Sequence, residues 1–131
     1  MAAFLATPHG AVASFTGLCR ADPGVTRLEL QHYPGFTERE IANIAHAVAA
    51  RFAIDAMTIV HRIGAMSPGD AIVFVAAGAP HRAEAFAAVE AMMDYLKTDA
   101  PFWKREVRAD GARWIEPTHK DRDRRARWEM R

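Results

Sequence analysis

The stretch "DYLKTDAPFWKRE" carries two lysines, Lys97 and Lys104, seven residues apart. On one unbroken helix that spacing would place them on the same face, about two turns apart. Pro101 lies between them, and proline inside a helix removes a backbone donor and clashes with the preceding turn. Lys97 therefore belongs to the end of one element and Lys104 to the start of the next. Two ammonium groups flanking a chain reversal either serve unrelated surfaces or converge on one site. Converging ammoniums bind anions, and each lowers the pKa of the other, so one of them can move a proton. Spacing alone leaves both options open.

A second candidate is "PHR", Pro80 to Arg82. It falls where an apolar run meets a helical pattern, and a helix N-terminus offers unpaired N–H groups and partial positive charge. His81 and Arg82 there suit a phosphate or carboxylate. The alternative is that His81 only caps the helix and Arg82 is solvated. Cys19, next to Arg20, is read as a small buried residue at a strand end, with an activated thiol as the alternative. The six histidines show no metal-ligand spacing, and His32 and His61 fall on the apolar phase of strands. They read as hydrogen-bonded sheet histidines. Neither a nucleophile elbow nor a phosphate-binding loop is present.

These side chains need elements to position them. "GAVASFTG" and "VTRLELQHY" read as strands. Thr37 with Glu40 has capping-box spacing, and Ile41, Ile44, Ala45, Val48 and Phe52 repeat with helical period over 38–52. "MTIVHRIG" alternates as a strand, "SPGD" is a turn, and "AIVFVAAG" is continuously apolar, as in a strand covered on both faces. A second helix starts near Pro80 or His81, carries a stripe of Phe86, Val89, Met93 and Leu96, and ends before Ala100. The segment "FWKREVRADGARWIEPT" reads as a hairpin turning at Asp110-Gly111. Alternation puts Trp103 and Val107 on one face of its first strand and Phe102, Lys104 and Glu106 on the other. With Trp103 anchoring the core, Lys104 would point to solvent or into a cleft. The expected architecture is α+β: two helices packed on a mostly antiparallel or mixed sheet, with a C-terminal β-hairpin.

The chain has 131 residues, half of them hydrophobic and a quarter charged, which fits one domain over 1–131 with a charged tail over about 118–131. The formal net charge is +1, so an anion site must come from local arrangement. A single cysteine excludes an internal disulfide framework. No apolar run is long enough to span a membrane, and "MAAFLATPHG" lacks the basic start of a secretory signal, which makes the cytoplasm the expected compartment. The tail "KDRDRRARWEMR" interleaves acids among its arginines and is read as a solvated helix; phosphate contacts to nucleic acid are the weaker reading.

Taken in order, "GAVASFTG-x-x-R", "LELQHYPG", "IVHRIG", "PGD-x-IVFV", "PHR-x-x-AF", "MDYLKT-x-APFWKRE" and "DG-x-RW" resemble the catalytic (large) subunit of molybdopterin synthase over about residues 10–116. The lysine block is the most specific of them. The resemblance implies an α/β hammerhead-like fold and a sulfurtransferase that converts cyclic pyranopterin monophosphate into the molybdopterin dithiolene by adding two sulfurs. It implies a small ubiquitin-like carrier whose C-terminal Gly-Gly thiocarboxylate supplies the sulfur, and a homodimer within a heterotetramer. It implies no metal, no other cofactor, and no nucleic-acid or membrane partner. By matching motif, Arg20, His81, Arg82, Lys97, Lys104 and Arg105 would line the substrate pocket, with Lys97 and Lys104 essential for catalysis. His81 and Arg82 would hold the phosphate, and the lysines would neutralise the thiocarboxylate and the oxyanions of acyl transfer. Two departures stand out. The family commonly has a longer stretch before the first block, and its loop after Arg20 is longer and more polar than "ADPGVT". They leave a second reading: a carrier-binding homologue that keeps the fold without turnover.

Overall fold

The computed structural model describes residues 9–130. The leading stretch read above as lacking a secretory signal lies outside them, apart from His9 and Gly10. Two antiparallel sheets organise the described chain. The first is formed by β1 (Ala11–Leu18), β3 (Ala56–His61) and β5 (Ala71–Ala79), in the order β1-β5-β3. The second is formed by β2 (Val25–His32), β4 (Gly64–Met66), β6 (Phe102–Arg108) and β7 (Gly111–Ile115), in the order β4-β2-β6-β7. Helix α1 (Phe36–Arg51) joins the sheets, and α2 (Arg82–Thr98) connects β5 to β6. A third helix, α3 (His119–Ala126), runs into a 3-10 turn over Arg127–Met130. The α+β expectation holds, with β4 and the docked third helix added to it.

The main core lies between β5 and α2. Val73, Val75, Ala77 and Ala79 alternate along one face of β5 and pack with Ala85, Ala88, Val89, Met92 and Leu96. Each large apolar side chain buried there contributes about 1.5–3 kcal/mol. Alanines on the helix face bring its backbone close to the sheet. The expected stripe shifts accordingly: Val89 and Leu96 are inside, but Phe86 is 66% exposed. On α1 the expected set holds, with Val48 buried and Ile41, Ile44, Ala45 and Phe52 packed against the same core. The start of β1 also approaches the β5–α2 joint closely. A Cβ on Gly10 would lie 1.9 Å from the Pro80 carbonyl oxygen, a contact only glycine permits.

Two local expectations change. The N-terminus of α1 is closed by Glu38, whose carboxylate accepts the Gly35 N–H, rather than by a Thr37–Glu40 box. Thr37 is buried instead. Its Oγ1 accepts the Tyr33 N–H at 2.9 Å and donates to the Pro101 carbonyl at 3.3 Å. This hydroxyl fastens the start of α1 to the turn between α2 and β6. The C-terminal hairpin forms, but its two loop residues are Ala109 and Asp110. Gly111, at φ 136°, opens β7 opposite Arg108. That positive φ favours glycine, so the signal was right and the register one residue off.

The tail also differs from the solvated helix expected. Trp128 is 2% exposed, meets Phe52 edge-on at 5.5 Å and donates its indole N–H to Asp94 at 2.8 Å. Arg124 and Arg127 bond to Glu90 and Asp94, and Arg125 to Asp99 and Glu129. The tail arginines thus meet carboxylates of α2 and of the tail itself, and α3 lies along α2. Periodicity shows the charges but not the tertiary partners that receive them.

Candidate active site

The lysine site is assembled from four elements. Lys97 stands in the last turn of α2. That helix ends as Asp99 and Ala100 donate to the Tyr95 carbonyl, and Phe102 N–H then donates to the Ala100 carbonyl at 2.8 Å to start β6. Lys104 is set by β6, paired with Leu30 on β2 and Ile115 on β7. Its side chain shares a face with buried Leu30 and Met66. Trp103, on the opposite face, is 51% exposed. The alternation was read correctly, but the faces are inverted: Lys104 points inward and Trp103 outward.

Arg20 follows β1 and is held by backbone bonds at its neighbour. Cys19 donates to the Asp70 carbonyl at 2.8 Å and accepts from Gly69 at 2.9 Å. The Cys19 thiol is buried, and burial together with Asp70 and Asp22 raises its pKa, so the activated-thiol alternative fails. The fourth element is α3, whose first-turn Asp121 lies near Lys97 and Lys104. Thr118 and Asp121 cap the helix reciprocally, with both N–H···O distances 3.0 Å.

The charges of these groups act on one another. Burial is the main cause lowering the Lys104 pKa, and the Lys97 ammonium and Arg20 guanidinium lower it further, while Asp121 acts in the opposite sense. Burial is also the largest influence on Asp121 and disfavours its charge. Hydrogen bonds from Thr118 and the two lysines outweigh it, so the carboxyl pKa is held down. The cluster holds three cations against one carboxylate. That excess of positive charge is chemically suited to an anion and to negative charge developing on it. Among the described residues no His, Cys, Asp and Glu group is arranged to hold a metal ion.

Of the six residues expected in one pocket, the protomer brings together Arg20, Lys97 and Lys104. His81 and Arg82 begin the same helix that Lys97 ends. At 1.5 Å per residue they lie about 22–24 Å away. Arg105 points to the other face of β6, where it pairs with Glu29 and lies 5.7 Å over the Trp114 ring. That face carries an exposed aromatic groove of about 390 Å³ lined by Gln31, His32, Tyr33, Trp103 and Trp114. Trp103 sits 6.3 Å edge-on to both Tyr33 and Trp114. Sequence reasoning missed this groove because it assigned Trp103 to the core. The paired β6–β7 register was the signal that could have placed both tryptophans on one face.

The fold and the site together define an α+β protein with a lysine cluster at a helix–strand turn. The chain belongs to the MoaE protein family, whose model matches residues 1–99. It is 55% identical over 122 residues to the molybdopterin synthase catalytic subunit of Caulobacter vibrioides, covering 92% of this chain and 81% of that protein. The Escherichia coli protein of the same description is 46% identical, with 91% and 81% covered. Among solved structures, a molybdopterin biosynthesis MoaE protein from Burkholderia ambifaria superposes with TM-score 0.83 at 46% identity, over 98% of this chain and 87% of that one. Molybdopterin synthase from Staphylococcus aureus gives TM-score 0.77 at 33% identity, over 82% and 80%. The same fold occurs in a complex of subunits 1 and 2 of molybdopterin-converting factor from Helicobacter pylori, at TM-score 0.74 and 18% identity, over 91% and 79%.

Proposed function

We propose that this chain is the catalytic subunit of a molybdopterin synthase, transferring two sulfurs from a thiocarboxylated carrier to cyclic pyranopterin monophosphate. The observation that carries the reading is the half-buried Lys104 beside Lys97 and Arg20, in a chain of this family. Both proposed reactants are anionic, one through its cyclic phosphate and the other through its thiocarboxylate. A cation cluster with one half-buried ammonium suits them. In each transfer the thiocarboxylate sulfur bonds to a pterin carbon as that carbon's bond to oxygen breaks, the oxygen leaving with the electron pair as phosphate oxygen or, once protonated, as water. The product is an acyl–sulfur link between carrier and pterin. Water then adds to the acyl carbon and the carbon–sulfur bond breaks. Sulfur stays on the pterin and the carrier leaves as a carboxylate. Lys97 and Lys104 stabilise the oxyanion of that addition, and Arg20 supports the bound anion.

His81 and Arg82 enter this account through assembly. A distance of about 22–24 Å along one rigid helix prevents them from reaching the lysines of their own protomer. We assign them to the phosphate of a substrate bound at a second copy's lysine site, which requires a homodimer. The carrier's body is assigned to the aromatic groove on the outer face of β6. Half-exposed Trp and Tyr side chains are the residue types that anchor protein partners. No helix among the described residues is long and apolar enough to cross a membrane. The proposed reaction implies a cytoplasmic enzyme.

Incubation of the protein with thiocarboxylated carrier and cyclic pyranopterin monophosphate tests the reading. Dithiolene product is the expected outcome. Carrier binding without product would leave only the non-catalytic homologue.

A further inference from the structure

We propose that His61 is the catalytic base of the lysine site, accepting through Nε2 the proton of the water that cleaves the acyl–sulfur link. The inference rests on the sulfur-transfer reading above and adds a residue to it. His61 ends β3. Its ring stacks on Phe102 with centroids 4.1 Å apart and planes 22° from parallel. Phe102 is two residues from Lys104 on the same face of β6, so the imidazole lies beside the lysine's side of the sheet. The ring's orientation is fixed at one corner, where Nδ1 lies 2.9 Å from the Arg62 carbonyl oxygen. A carbonyl oxygen only accepts, so Nδ1 carries the hydrogen. In the neutral ring, Nε2 then carries the lone pair, at the far side from that bond.

The charge state follows from the surroundings. Burial is the largest influence and lowers the His61 pKa below the ordinary 6.5. The Arg62 carbonyl opposes this, and the Lys104 ammonium adds to it. The other charged groups of the site are Lys97 on α2, Arg20 after β1 and Asp121 on α3, with Arg62 paired to Asp70 at 3.5 Å. At neutral pH the imidazole is therefore a free base. Lysines and arginines in the cluster are donors, and Asp121 is engaged by the Thr118 N–H. Among the described residues of the cluster, the lone pair of a neutral nitrogen is that of His61 Nε2, because Nδ1 is turned to the Arg62 carbonyl. In the step assigned to it, a water O–H bond breaks and its proton goes to Nε2. The water oxygen bonds to the acyl carbon, the carbon–sulfur bond breaks, and the electron pair leaves on the pterin sulfur. The imidazolium returns its proton to that thiolate or to solvent.

The test is single-turnover kinetics with thiocarboxylated carrier, following the carrier–pterin adduct by mass spectrometry. The variants are His61→Asn, which can keep the Arg62 bond, and His61→Phe, which can keep the stack on Phe102. Expected in both is adduct formation within a few-fold of wild type and hydrolysis slowed about 10²- to 10⁴-fold, so that adduct accumulates. In wild type, hydrolysis falls as pH drops through the lowered His61 pKa, below the ordinary 6.5, and the base becomes protonated. The variants lose that acid limb, and added imidazole restores part of the rate. Hydrolysis at the wild-type rate with the acid limb intact in either folded variant overturns the assignment. Equal loss of adduct formation and hydrolysis also overturns it, because that is the signature of a structural role. Absence of both adduct and product in wild type would instead defeat the sulfur-transfer reading itself.

Discussion

Replacing Trp128 by alanine tests whether the charged tail is part of the folded structure. The indole is buried, packs edge-on against Phe52 and donates to the buried carboxylate of Asp94, itself 6% exposed. Truncating a buried tryptophan costs about 3–5 kcal/mol through lost transfer energy and the cavity left behind. An unfolding entropy of about 2.1 cal/mol/K per residue gives about 0.28 kcal/mol/K for a chain this long. The expected fall in Tm is therefore about 11–18 °C. Trp128→Phe keeps most of the packing but removes the N–H from Asp94, a hydrogen bond to a charged group worth about 1.5–3 kcal/mol. It should fall between wild type and alanine. Calorimetry measures both variants, and hydrogen exchange of the α3 amides in wild type reports docking directly. Unchanged Tm in Trp128→Ala, with wild-type α3 amides exchanging as fast as in a free peptide, would refute the docked tail. The outcome bears on the site because Asp121 is carried by this helix.

Two further predictions concern the site and its surroundings. Lys104 should titrate below its ordinary 10.5, more so in Asp121→Asn, which removes the opposing carboxylate, and less so in Lys97→Met, which removes a like charge; NMR of the labelled lysine side chain reads both directions. Because its folded pKa is lowered, the unfolded chain holds more protons between that pKa and 10.5, so this lysine makes stability rise with pH across that window. Trp103→Ala should weaken carrier binding by about 2 kcal/mol, roughly thirtyfold, with the rate at saturating carrier unchanged; unchanged affinity by calorimetric titration would remove the groove from the docking surface.

Much of this fold was legible where one physical signal dominates. The apolar run of β5, the 3.6-residue period of α1 and the stop before Pro101 each gave an element in the right place. What was missed depends on contacts between elements. Strand β4 is three residues long and carries no period of its own. Phe86 sits on a plausible stripe, but the alanine face of α2 packs instead. The orientation of Trp103 could not be read because alternation sorts residues into two faces without saying which is inside. Lys97 and Lys104 were identifiable as a pair flanking a break, and the family resemblance made them a pocket. The positions of Asp121 and His61 near Lys104 required the packing of α3 and β3 around β6. The separation of His81 and Arg82 from the lysines follows from the length of α2, and it was visible in the sequence once that helix was drawn.

The central claim is that Lys97 and Lys104 act together on the oxyanion formed when water adds to the acyl–sulfur link. The most direct measurement is the rate of dithiolene formation from thiocarboxylated carrier by Lys97→Ala and Lys104→Ala, each first shown to be folded and to bind carrier. The account predicts that both lose at least about 10²-fold in rate, the scale of removing a group that stabilises a developing oxyanion. Near-wild-type turnover in both variants would contradict it.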